Sequence, residues 1–163
     1  MSTEFHPLSQ PDEIPIREKE DAMGAYLMMF ASVAVGLPLP FLSIIASIIY
    51  YYLNKKDSRF VKFHALQALY SHIPVVLLNS VGIVWTIYNA VKDLPFDRTF
   101  KGYAIMTAVA NIVFIVFTII GAVKARHGRM YYFWFFGKVC YMQAYQVKAI
   151  VAADTLVNKP PQI

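Results

Sequence analysis

His64 and His72 are the side chains in this sequence best suited to chemistry. They lie eight residues apart on an apolar stretch that reads as one helix, so their rings are turned by about 80° and point in neighbouring directions. Gln67 and Ser71 sit close by. Two imidazoles in such a setting could ligate haem, a chlorin or a metal, with His72 as the axial candidate. No carboxylate or thiolate joins them at metal-site spacing. The simpler reading is structural: His64 bonds near the headgroups and His72 bonds to another helix. It predicts no cofactor and no metal. Catalytic patterns are missing too, with no glycine-rich phosphate loop, nucleophile elbow or paired acidic motif. The single cysteine, Cys140, carries no activating motif. The expectation is a protein that is not an enzyme.

The elements that must carry these residues are membrane helices. Of the 163 residues, 58% are hydrophobic and only 15% charged, and the mean hydropathy is +0.47. A soluble domain has about 25% charged residues to cover its surface. No Asp, Glu, Lys or Arg occurs in 22–54, 63–91 or 102–123, runs of 33, 29 and 22 residues. A spanning helix needs about 20. The second and third runs each fit one span, the second with Pro74 as a candidate kink. The first is too long for one straight helix and is broken by Gly36-Leu37-Pro38-Leu39-Pro40. It predicts a hairpin of two short helices, 22–36 and 40–54. The fold class expected is an all-α integral membrane protein with four membrane helices. The competing reading of 22–54 is one kinked span.

The basic residues are unevenly placed. Lys55, Lys56, Arg59 and Lys62 fill one turn; Lys124, Arg126, Arg129, Lys138, Lys148 and Lys159 follow the last span; Arg17 and Lys19 precede the first. Only Lys92, Arg98 and Lys101 fall on the other side. By the positive-inside rule both termini are cytoplasmic, and a bacterial inner membrane is the expected location. The net charge of +5 then reflects topology and anionic headgroups rather than nucleic acid. Residues 1–21 hold six acidic residues and three prolines, unlike a signal or transit peptide, and read as a mobile tail.

Residues 131–136 are all aromatic, and such rings favour the membrane interface. After Gly137, positions Val139, Met142, Gln146, Ala149, Ala153 and Leu156 repeat near helical spacing. They predict an interfacial helix within 127–157, before a short tail, 158–163. Lys55, Lys56, Arg59, Lys62, Lys124, Arg126, Tyr131, Tyr132 and Trp134 are the candidate contacts to lipid or a partner. Gln67, Asn79, Asn89 and Asn111 suit interhelical hydrogen bonds or a pore lining. Ser43 with Ser47, Ala104 with Ala108, and Gly121 with Ala125 are small pairs that let helices approach.

The stretch Lys55-Lys56-Asp57-Ser58-Arg59-Phe60-Val61-Lys62-Phe63-His64-Ala65-Leu66-Gln67-Ala68-Leu69 resembles the signature of a family of small bacterial membrane proteins. That family is related to the twenty-kilodalton subunit of the chloroplast inner-envelope protein-import machinery. A second similarity is Ala122-Val123-Lys124-Ala125 followed by Gly128 and Tyr131. Tyr70 stands where the family has Asn, and Trp134 where it has Pro. The resemblance covers about residues 21–134. It implies a four-helix membrane domain over 22–126, a helix-start motif of Ser58, Phe60, His64 and Gln67, and an association with protein transport. The resulting expectation is an accessory or structural subunit of an inner-membrane assembly, in contact with lipids and other membrane subunits. A small oligomeric channel or carrier, and a haem- or chlorin-binding subunit using His72, are the alternatives.

Overall fold

The computed structural model describes residues 5–31, 40–54 and 58–147. Among them the chain is all-helical. Five α-helices follow in order: α1 (Ile16–Leu27, continued by a 3-10 turn, Met28–Phe30), α2 (Pro40–Asn54), α3 (Arg59–Val91), α4 (Arg98–Arg126) and α5 (Gly137–Tyr145). The one β feature is an isolated bridge between Phe5 and Gln146.

Two helices, α3 and α4, are long and apolar enough to cross a membrane. With 33 and 29 residues they measure about 50 and 44 Å, against about 30 Å of hydrocarbon. Ser58, in extended conformation, starts α3 by accepting the Val61 N–H at 3.1 Å, and Asp97 starts α4 through the Phe100 N–H at 2.8 Å. Between them Asp93 adopts φ 53° and the Leu94 N–H bonds to the Asn89 carbonyl at 2.9 Å. α3 runs unbroken through Pro74. Proline gives up one backbone bond there, a loss that membrane helices tolerate when neighbours compensate. Asn79 and Asn111 exchange amide hydrogen bonds across the pair at 3.0 and 2.9 Å.

Four spans are not supported. As described, α1 has 12 residues and α2 has 15, about 18 and 22 Å, and neither reaches the length of a candidate span. The charge-free run placed the first helix at 22–36. Instead it begins at Ile16, directly after Pro15, whose missing N–H and fixed φ suit a helix start. Five charged residues, 17–21, are thereby taken into the helix, and its apolar remainder runs on into the 3-10 turn Met28–Phe30. Most of the Gly36–Pro40 break, and with it Lys55 and Lys56, lies outside the described residues.

The core gathers at the basic end of the spans. Buried residues of α3 run from Phe60 to Val76, with Asn89 alone beyond, and those of α4 from Phe114 to Ala125. α1 packs in the angle between α3 and α4, and α2 packs on α3. Tyr50 of α2 donates to the Asp21 carbonyl of α1 at 2.9 Å, and Arg126 pairs with Glu20 at 3.2 Å. Ser43, Ser47, Gly121 and Ala125 are buried at these contacts, whereas Ala104 and Ala108 are exposed. After α4 the chain reverses at Gly128, φ 69°, where an added Cβ would lie 3.0 Å from the Pro11 carbonyl oxygen.

α5 is shorter than the periodicity suggested. It stops at Tyr145, because Gln146 is extended and pairs with Phe5. It packs across the start of α3, with Cys140, Ala144 and Tyr145 buried against Phe63 and Leu66. Ala149, Ala153 and Leu156 lie outside the described residues.

Candidate functional site

The polar centre of the fold is Gln67. Its side chain is fully buried, and its amide bonds in three directions. Nε2 donates to the Tyr26 hydroxyl at 3.0 Å and to the Tyr131 carbonyl at 2.6 Å. Oε1 accepts the Phe133 backbone N–H at 3.1 Å. Residues 129–133 are not helical, so the Tyr131 carbonyl and the Phe133 N–H turn to a side chain. Non-helical backbone at membrane depth survives only where protein satisfies it. Gln67 stands in for a peptide group, offering both a donor and an acceptor.

Tyr26 links this amide to His64, whose Nδ1 lies 2.9 Å from the hydroxyl. The other ring nitrogen, Nε2, is buried and has no partner among the described residues. Burial pushes the Tyr26 hydroxyl up from its ordinary value, while the Gln67 bond pulls it back, so it remains a donor. Phe60 and Phe63 enclose the His64 ring edge-on, at 4.5 and 5.1 Å between centroids.

His72 is in a different place. Its ring stacks on Phe114 of α4 at 5.4 Å and 15°, and its Nδ1 is buried without a partner among the described residues. His64 is bonded to Tyr26 of α1 and His72 is stacked against Phe114 of α4, so the two rings turn to different neighbours. Among the described residues no group of three or more His, Cys, Asp or Glu could hold a metal ion. Asn79 and Asn111 are bonded to each other, and Asn89 is buried near the α3–α4 turn.

The remaining sequence candidates surround the lock. Lys62 donates to the Gln143 carbonyl at 2.8 Å, which ties α5 to the start of α3. Tyr70 donates to the Gln143 side chain at 3.0 Å. Arg59 is exposed, Lys124 is half-buried, and Arg126 holds Glu20. Tyr132 packs between Phe63 and Tyr141. Trp134 is 92% exposed and Phe135 75%. Both border an apolar cleft of about 360 Å³ against Pro74, Val113 and Phe117. Burial raises the Cys140 thiol to about 12 and, with nearby tyrosines adding to it, the Tyr145 hydroxyl to about 12. Sequence reasoning missed Tyr26, whose one signal was a phenol inside an apolar run, and the backbone partners of Gln67, which carry no side-chain signal.

Residues 18–139 match the family model of MamF and MmsF, the magnetosome magnetite crystal formation protein family. No curated protein and no solved structure matched the chain. The match covers three quarters of the sequence, and the chain belongs to this family. It is a membrane protein with a structural or accessory role in magnetite crystal formation. This overturns the resemblance to the import-related family, and protein transport has no support. The motif that suggested it is a helix start coupled to a buried glutamine. Any helix that must satisfy a neighbouring irregular segment can use that device.

Proposed function

We propose that this member of the magnetite crystal formation family is a non-catalytic subunit that organises the magnetosome membrane around the growing crystal. The observation that carries the reading is the Gln67 amide, whose hydrogen-bonding atoms are all taken up in holding α1, α3 and the 131–133 segment together. A site built to act on substrate keeps such groups aimed at a cavity; here they close the fold. The polar pair deeper in the spans is likewise closed on itself, and 63–91 and 102–123 carry no ionisable Asp, Glu, Lys or Arg. Ion pathways usually need such a side chain. The excess of Lys and Arg at the α1, α2 and α5 end supports an orientation with that end toward the cytoplasm and the α3–α4 turn toward the crystal compartment. Its partners are membrane lipids and other magnetosome membrane proteins.

The test replaces the chromosomal gene and sizes the crystals by electron microscopy. Deletion is expected to alter crystal size and number. His72→Phe and Cys140→Ala, at normal abundance in the membrane, are expected to restore wild-type crystals. Loss of crystal control in either variant, with the protein still folded and inserted, would contradict the non-catalytic reading.

A further inference from the structure

The two halves of the α3–α4 pair are dressed differently. Beyond Val76 on α3 and before Phe114 on α4, these helices chiefly meet each other, through Asn79–Asn111, the Tyr103 hydroxyl on the Leu78 carbonyl and the Trp85–Tyr103 rings. Their outer surfaces there are exposed and apolar, at Val81, Val84, Val109 and Ile112 among others.

The basic half carries much more. Glu20 meets Arg126 at the rim, and Tyr26 packs where Gly121 has no side chain. Phe30 shares an apolar groove with Thr118 and Ile119. α1 and its 3-10 turn thus descend along α4 from Arg126 to Thr118, eight residues or about 12 Å. One leaflet of hydrocarbon is about 15 Å deep. α2 runs beside it, held through Tyr50. Trp134 and Phe135 project at the depth of Val113 and Phe117, about 9 to 15 Å in from Val123.

We propose that the protein is a membrane wedge: α1, α2 and the Trp134–Phe135 segment broaden it in the leaflet at its basic end, so that it fits a bilayer convex on that side. A helix about 10 Å across occupies about 80 Å² of leaflet. Among the described residues the basic side holds four such sections and an aromatic segment, against two on the other. Lipid displaced from one leaflet alone is accommodated by bending toward it, which makes one-sided insertion sensitive to curvature. A closed vesicle lying in the cytoplasm is convex on its cytoplasmic face, the face the positive-inside orientation gives to the broad end. The match to such a vesicle rests on the orientation proposed above. The shape itself does not, so vesicle binding and crystal control can fail separately.

The full-length protein is reconstituted into vesicles of phosphatidylethanolamine and phosphatidylglycerol, about 30 and about 400 nm across. Protein per lipid and the fraction with the basic end outside are measured in each. Basic-end-out molecules are expected to be about threefold denser in the small vesicles, a preference of about 0.6 kcal/mol. The W134S/F135S double variant, confirmed folded by circular dichroism and Trp85 fluorescence, is expected to show a smaller ratio. Equal densities, a preference for the basic-end-in orientation in small vesicles, or an undiminished ratio in the double variant would overturn the proposal.

Discussion

Replacing Gln67 with leucine removes three hydrogen bonds while nearly keeping the side-chain volume. Two scales compete for the cost. Polar pairs between membrane helices average about 0.6 kcal/mol, which gives about 2 kcal/mol for three. That average is small because the unfolded chain in the membrane finds other partners. The Tyr131 carbonyl and the Phe133 N–H belong to non-helical backbone, and Gln67 is fully buried beside them. Leaving two such groups orphaned costs about 1–3 kcal/mol each, or about 4 kcal/mol together. Tyr26 keeps His64 as a partner and adds little. The larger scale governs, and a loss of about 4 kcal/mol is a large share of a typical 5–15 kcal/mol. The assay is reversible unfolding in mixed micelles, followed by tryptophan fluorescence. Gln67→Leu should lower stability by about 4 kcal/mol, and Gln67→Asn, too short to reach both backbone groups, by at least half of that. A Gln67→Leu cost below about 1 kcal/mol would refute the claim that this side chain satisfies membrane-depth backbone.

The other expectations follow from single contacts. Asn79→Leu should cost about 0.6 kcal/mol and no more than about 1.7, with the Asn79→Leu/Asn111→Leu double variant no worse than the single; additive losses in the same unfolding assay would show separate partners. Gly121→Ala would put a Cβ 2.8 Å from the Tyr26 ring and should cost about 1–3 kcal/mol, whereas Gly102→Ala, with nothing within 4 Å, should be neutral or gain up to about 1 kcal/mol. Cys140, with its thiol raised to about 12 by burial, stays protonated below that pH. The buried thiol is then un-ionised at pH 8, so iodoacetamide should label it only after unfolding, and rapid labelling of the folded protein would contradict its packing.

The two candidate spans were readable because hydrocarbon tolerates no stray charge: the runs 63–91 and 102–123 sit inside α3 and α4. The first run misled for the same reason. Charge marks where a helix leaves the membrane, not where it begins, and residues 17–21 are helical yet outside the apolar segment. An i,i+4 approach of Arg17 to Asp21 at 3.8 Å shows how such charges sit on a helix surface. Composition marked 131–136 for the interface. It did not show the segment turned inward beside Pro74 and Phe117, because that depends on Gln67, a long-range partner. The polarity of Gln67 was visible and its partners were not, since two of them are main-chain atoms. The family resemblance failed because a short helix-start pattern reports local geometry rather than ancestry.

The account rests on two spans with the short helices confined to one side, and cysteine accessibility tests it directly. In a Cys140→Ala background, single cysteines replace Phe41, near the start of α2, and Phe96, in the α3–α4 turn; both positions are exposed. An impermeant thiol reagent is applied from the side opposite the basic end. The account predicts labelling of Phe96→Cys and none of Phe41→Cys, which lies within the membrane at the deep end of α2. Labelling of Phe41→Cys from that side as readily as Phe96→Cys would mean that α1 and α2 cross the membrane, and would contradict the account.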